Sequence, residues 1–356
     1  MVGLNRSYRQ YRGRGSGKKP LIALLLILVI ALSLGIFAAE RYMVMDGFGQ
    51  LHLSAPTAPD SAPAPEGAVQ ETPPEVEIST AEEAGLPGEV EVEIEPAEEK
   101  IETHALLLAE TPLTEAALAA AKEAMAARGA NALVVTLKDD AGRVYYDSAS
   151  AISRAKKTAK DTAAALAALT ADEEVYSIAR VSCLLDPLAA NSDVSALALK
   201  NTGGYIFYDG NNSQWLDPSK DAARAYLTAL LPEIAALGFD EIQLCTVSYP
   251  LVGKLNKIAY NTTEQGAALA RFLSEAAAAL EPYDVTLSVE CSEQTIAEGA
   301  DATGFLTLDA VKAAAGKVYA VPGSDPMVSA KALEAGLEYI PEVPEPLPEG
   351  SWLSMN

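Results

Sequence analysis

The chain has 356 residues, with 49 acidic against 26 basic side chains and a formal net charge of -23 at pH 7. That length holds one large domain with appendages, and that charge repels nucleic acid, anionic lipid and anionic wall polymers, which excludes a phosphate-tracking role. Two histidines and three widely spaced cysteines leave little material for a zinc centre, a Ser-His-Asp triad or a disulfide framework, so neither a metal nor a cofactor is expected.

Residues 1–19 carry Arg6, Arg9, Arg12, Arg14, Lys18 and Lys19 and no acid. Residues 20–39 then open on Pro20 and run from Leu21 to Ala39 without a charge, apolar on every face. At about 1.5 Å per residue this run crosses a hydrocarbon core of roughly 30 Å. Lys and Arg beside a span resist translocation, so the spacing predicts a single-pass anchor, N-terminus cytoplasmic and the rest outside. A cleaved signal peptide is the rival, but its apolar region spans about 7–15 residues and wants a small residue where Phe37 stands. Residues 40–100 are rich in proline, alanine and acid, as in Ala55-Pro56-Thr57-Ala58-Pro59, and read as a disordered, extended tether.

From about Ile101 the texture changes. Ala105 to Leu108 reads as a buried strand. Thr114 to Arg128 reads as an Ala-rich helix capped by Thr114 and ended by Gly129. Strands are predicted over Ala132–Val135, Val175–Leu185, Glu241–Leu244 and Thr286–Cys291, with helices over 160–169, 217–237 and 263–280 between them. Shorter strands are predicted over Gly304–Leu308, Lys317–Val321 and Glu338–Ile340. Such alternation predicts a parallel sheet with helices outside. No phosphate-binding glycine motif follows the first strand, so a (β/α)8 barrel over 101–341 is the better reading, with 342–356 a tail and an open α/β sheet the runner-up.

Reactive groups of such a barrel sit at the C-terminal strand ends. The ends read Thr136-Leu137-Lys138-Asp139-Asp140-Ala141-Gly142, Leu184-Leu185-Asp186-Pro187, Gln243-Leu244-Cys245 and Val289-Glu290-Cys291. Two carboxyl groups are what glycoside hydrolysis needs. Glu290 is the leading catalytic candidate, because an unpaired carboxylate late in an apolar strand is costly to bury. Asp139 and Asp186 are its candidate partners. Each has a plainer role: Asp139 in a tight turn with Gly142, Asp186 at a strand stop, and Asp217 as cap of the next helix. Lys138, Arg180, Trp215, Glu241 and Gln243 are candidate substrate-binding residues. Trp215 is a sugar-stacking platform or a core residue, and Glu241 with Arg180 is a site pair or a structural ion pair. Period two puts Glu241, Gln243 and Cys245 on one strand face. The three cysteines, all in apolar strand-like runs, are expected to be free.

Taken in order, Asn131 to Gly142, Ile178-Ala179-Arg180, Asp186-Pro187, Trp215-Leu216-Asp217-Pro218 and Gly238-Phe239-Asp240-Glu241-Ile242-Gln243 resemble a family of glycoside-hydrolase-like domains with a TIM-barrel fold found in bacterial envelopes. The resemblance covers roughly residues 103–295. It implies a barrel acting on envelope polysaccharide or glycan. It also shows departures. The family carries Asp where this chain has Thr136, and Phe-Asp-Tyr-x-Arg-Phe-Pro where this chain has Leu244 to Pro250, so Cys245 stands at an acid position and the arginine is gone. Glu290 replaces an Asp. The reading is therefore a membrane-tethered barrel that binds glycan with a degenerate catalytic set, a pseudoenzyme. The alternatives are an active hydrolase using Glu290 with Asp139 or Asp186, and a non-catalytic scaffold in a membrane complex.

Overall fold

The computed structural model describes residues 43–45, 51–53, 102–323 and 325–355. The chain divides into two units, Met1–Glu93 and Ile94–Asn356. In the first, β1 (Met43–Met45) and β2 (Leu51–Leu53) form an antiparallel hairpin with Met43 opposite Leu53. The sequence between them holds Gly47 and Gly49, turn-forming residues. Part of the stretch read as a plain tether is thus paired. The predicted membrane helix at 20–39 lies outside the described residues. Among the described residues, no helix is long and apolar enough to cross a membrane.

The second unit holds, in chain order, β3 (His104–Leu107), α1 (Glu115–Arg128), β4 (Ala132–Lys138), α2 (Thr162–Thr170), β5 (Tyr176–Ser182), α3 (Pro187–Ser192), β6 (Lys200–Asn201), α4 (Asp221–Ala235), β7 (Glu241–Cys245) and β8 (Ile258–Ala259). Then come α5 (Gln265–Leu280), β9 (Thr286–Ser292), α6 (Glu293–Glu298), α7 (Leu308–Ala314), β10 (Lys317–Val321), α8 (Pro326–Glu334), β11 (Glu338–Val343) and β12 (Trp352–Met355). Eight parallel strands close a barrel in the order β3-β4-β5-β7-β9-β10-β11-β12. β6 and β8 pair antiparallel outside it. Closure rules out the open sheet.

Local chemistry explains most boundaries. Thr114 accepts the Ala117 amide at the start of α1, and Gly129 ends that helix in the left-handed region at φ 65°. The strand predicted at 304–308 is instead a turn. Asp301 Oδ1 accepts the Thr303 and Phe305 amides, and α7 begins at Leu308 under the Thr307 cap. Asp217 does not cap α4, whose N-cap is Lys220; its carboxylate accepts from the amide and hydroxyl of Ser219 in the turn before. The stretch read as a tail after 341 holds the end of β11 and all of β12. That last strand lies parallel to β11 on one side and β3 on the other, with Leu353 opposite Ala105.

Strand alternation sorts side chains into two cores. Outward residues such as Leu133, Val135, Ile242, Leu244 and Val289 pack with Leu231, Ile234 and Phe272 of the helices. Full burial of one such side chain stabilises by about 1.5–3 kcal/mol, and Phe272→Ala would cost about 3–5 kcal/mol. Inward residues Ala105, Ala132, Val134, Ile178, Tyr319, Ile340 and Leu353 plug the middle of the barrel. The plug separates a floor at the N-terminal strand ends from a mouth at the C-terminal ends.

Candidate functional site

The floor holds Glu241, which is fully buried. Its carboxylate accepts from Lys317 Nζ at 2.7 Å, Ser288 Oγ at 2.6 Å and the Tyr176 hydroxyl at 3.1 Å. Fully buried and with three side-chain partners, Glu241 is a member of a structural ion pair. Its partner is Lys317; Arg180, the partner weighed from sequence, sits one pleat higher, opposite Gln243. Gln243 is also fully buried, below the mouth.

Lys138 and Asp186 form a second closed pair. Lys138 Nζ lies 3.0 Å from Asp186 Oδ2 and donates to the Ser182 carbonyl at 2.6 Å, with both side chains at 0 % exposure. Asp186 Oδ1 accepts the Ala189 amide at 2.7 Å and caps α3, with Pro187 at its first position. Asp139 is spent in its turn. It accepts from the Ala141 and Arg143 amides, from Arg143 Nε at 2.7 Å and from the Tyr145 hydroxyl at 2.8 Å. Each aspartate is thus committed to a cation of its own, Asp139 to Arg143 and Asp186 to Lys138. Trp215 is buried, with its indole N–H donated to Asp209 at 2.9 Å. It packs in the outer core and offers no open face to a sugar.

What the strands do bring together is Arg180, Glu290, Cys245 and a residue that the sequence did not single out, Glu342. Arg180 Nη2 lies 2.6 Å from Glu290 Oε2 and Nε 3.2 Å from the same oxygen. The Cys245 thiol, fully buried, lies 3.9 Å from the Gln243 carbonyl; burial first and then the Glu290 charge push its titration well up. Glu342, near the end of β11, is 7 % exposed, and its buried Oε1 has no hydrogen-bond partner among the described residues. Burial, then the Glu290 charge, pushes the Glu342 carboxyl up to about 8 against the opposing pull of Arg180. At neutral pH it therefore carries a proton. Thr136 is opposite Arg180 in the β4–β5 register, where the resembling family has an acid.

The strand end beside this cluster is strained. Thr246 has φ 52°, a left-handed conformation unusual for a β-branched residue. It is held there by the Cys183 amide, which donates to Thr246 Oγ1 at 3.0 Å, and by the Ser182 hydroxyl at 2.9 Å. Such strain collects at functional sites. Thr246, Ser248, Glu290, Asp301 and Leu306 line a cavity of about 220 Å³ at the mouth. Cys183 and Cys291 are free and buried like Cys245, their thiols pushed up to about 12 by burial. Low-pKa thiolate chemistry is thus absent from all three. Among the described residues, no group of acids, histidines and cysteines could hold a metal ion.

A family model described as "Putative glycosyl hydrolase domain" matches residues 107–304. No curated protein matches the chain. Among solved structures, α-L-fucosidase isoenzyme 2 from Paenibacillus thiaminolyticus is 11% identical with a TM-score of 0.50, over 68% of this chain and 40% of that one. A hypothetical protein from Ruminiclostridium thermocellum ATCC 27405 is 25% identical with a TM-score of 0.44, over 57% of this chain and 100% of that one. The glycoside hydrolase domain of PelA from Pseudomonas aeruginosa is 15% identical with a TM-score of 0.40, over 68% and 83%. The fucosidase match shows the barrel fold and nothing finer.

Proposed function

The chain belongs to this glycosyl hydrolase domain family, and on that premise we propose that it binds envelope glycan at the barrel mouth while hydrolysing it poorly or not at all. The observation that carries this reading is the ion pair of Glu290 with Arg180 beside the buried Cys245. Retaining hydrolysis needs carboxyl groups about 5–5.5 Å apart and inverting hydrolysis about 6.5–9.5 Å, so that a glycosidic oxygen or a water fits between them. Here Arg180 Nη2 holds Glu290 Oε2 at 2.6 Å, while the candidate partners Asp139 and Asp186 are each held by a cation of their own, Arg143 and Lys138. Cys245 fills the strand-end position where the resembling family has an acid.

The test assays full-length protein in detergent on envelope glycans, beside Glu290→Gln and the Thr136→Asp/Cys245→Asp double variant. Binding without turnover in the wild type, and turnover gained only in the double variant, is the expected result. Robust wild-type turnover abolished by Glu290→Gln overturns it. One observation favours that second reading, an active hydrolase: Glu342 is protonated near neutral pH, as a general acid must be. If it acts so, turnover falls as pH rises through about 8.

The placement is also proposed: the run Leu21–Ala39 spans the membrane uncleaved, behind a basic cytoplasmic tail, and the barrel lies outside. Its length and flank support this. The intact mass of purified protein decides, because a mature N-terminus near Glu40 would remove the anchor.

A further inference from the structure

Two loops leave the C-terminal face of the barrel side by side, one after β5 and one after β7. They are stitched together. Lys200 and Asn201 of β6 pair with Ala259 and Ile258 of β8. The Thr202 amide donates to the Lys257 carbonyl at 2.9 Å, and the Gly210 amide donates to the Val252 carbonyl at 3.1 Å. At Gly253, with φ +106°, a Cβ would sit 2.5 Å from the Gly210 nitrogen, so the two backbones touch where only glycine fits. The loops are therefore a preformed surface, and between them lies a groove of about 300 Å³ lined by Asn201, Thr202, Phe207, Tyr208, Lys254 and Lys257.

The groove's chemistry is distinct from the rest of this acidic chain. Lys254 and Lys257 are exposed and have no side-chain partner among the described residues. Tyr208 is 48% exposed and Tyr205 beside it 75%, an aromatic surface that the buried Trp215 does not supply. Asn201 Oδ1 accepts the Gly203 and Tyr205 amides and shapes the loop that carries both tyrosines. Leu251, on the second loop, also lines the mouth cavity, so one loop reaches both places.

We infer that this groove is a binding site for an anionic oligosaccharide, with pyranose rings against Tyr208 and acid groups on Lys254 and Lys257. The pairing of exposed aromatic faces with unpaired ammonium groups selects a ligand that is both a sugar and an anion. The net charge of -23 does not oppose it at short range. Fields beyond about 8 Å are screened at physiological salt, so the nearby lysines decide. The inference rests on the glycan-binding reading above and names a substrate class for it: an acidic glycan held in the groove.

Titration calorimetry of the full-length protein in detergent tests it, with oligogalacturonate, neutral maltohexaose and inorganic polyphosphate as probes. Oligogalacturonate binding that weakens at least about tenfold in Lys254→Gln/Lys257→Gln, and measurably in Tyr208→Ala, is the expected result, two charge-assisted contacts being worth at least that. Maltohexaose should bind more weakly than oligogalacturonate. Three results overturn the inference: no oligogalacturonate binding, binding untouched by the lysine variants, or polyphosphate bound as tightly and indifferently to Tyr208→Ala. The two readings fail separately. If the mouth binds no glycan, Arg180→Gln changes no glycan binding while the lysine variants still weaken that of oligogalacturonate. If the groove alone fails, envelope glycan binding remains sensitive to Arg180→Gln and insensitive to the lysine pair.

Discussion

Glu342 titrates in a direction opposite to most surface carboxylates. Its folded value, about 8, lies above the ordinary 4.5. The folded state thus holds a proton that the unfolded state has released. Glu342 contributes stability that is fully present below about pH 4.5 and lost as pH rises through about 8, with a slope of up to about 1.4 kcal/mol per pH unit. Denaturation midpoints taken at pH 5 and pH 8 should fall in the wild type and fall less in Glu342→Gln; equal falls would refute the assignment. Lys138 makes the converse case. Lys138→Met strands Asp186 at 0 % exposure without its cation, which should cost about 3–5 kcal/mol. Asp186→Leu added to it should recover part of that loss and not all, because the α3 cap is still missing, and calorimetry of the two variants checks the order. The sequence located Glu290 and Arg180, whose mouth positions follow from strand-end placement. It could not separate Asp139 and Asp186 from caps and turns, since the same carboxylate at the same strand end does either job. Glu342 was hidden by Pro341, which reads as a strand stop, although Glu338, Ile340 and Glu342 alternate at period two.

At the scale of elements, the Asp139–Gly142 turn shows how local chemistry and packing fix the same residue. Gly142 has φ 77°, and a Cβ there would collide with the Asp186 carboxylate. Gly142→Ala should therefore destabilise by about 1–3 kcal/mol, from the backbone strain and the displaced ion pair together. Chemical denaturation reads the loss, and an unchanged midpoint would show that the turn can move away from α3. The longer strands, β4, β5, β7 and β9, were legible within a residue or a few at each end. Their apolar runs are bounded by turn residues, and their alternation sorts Ile242 and Leu244 outward from Glu241, Gln243 and Cys245. The segment 304–308 was not legible. Its apolar residues are read equally well as a turn packed on the core, and Asp301, a side chain far from any strand pattern, decides the matter by accepting the Phe305 amide.

At the scale of the molecule, the barrel is shut by one of its two shortest strands, paired with the strand farthest from it in sequence. β12 is four residues long. A chain ending at Val343 keeps every helix of the second unit but leaves β11 and β3 with open edges, where unpaired backbone groups invite association. Such a truncation should lose cooperative unfolding and aggregate; a monomeric, cooperatively melting product would show that 344–356 is dispensable. The (β/α)8 class was readable from alternation together with the lack of a phosphate-binding glycine motif after the first strand. The closing strand was not, because Pro344, Pro346 and Pro348 give its approach the composition of a tail.

That closure has a consequence in time. Ala105 of β3 waits for Leu353, its register partner 353 − 105 = 248 residues later. At about 5–20 residues per second of synthesis, the interval is on the order of 12–50 s. Throughout it, the first strand of the barrel has emerged with one edge bare.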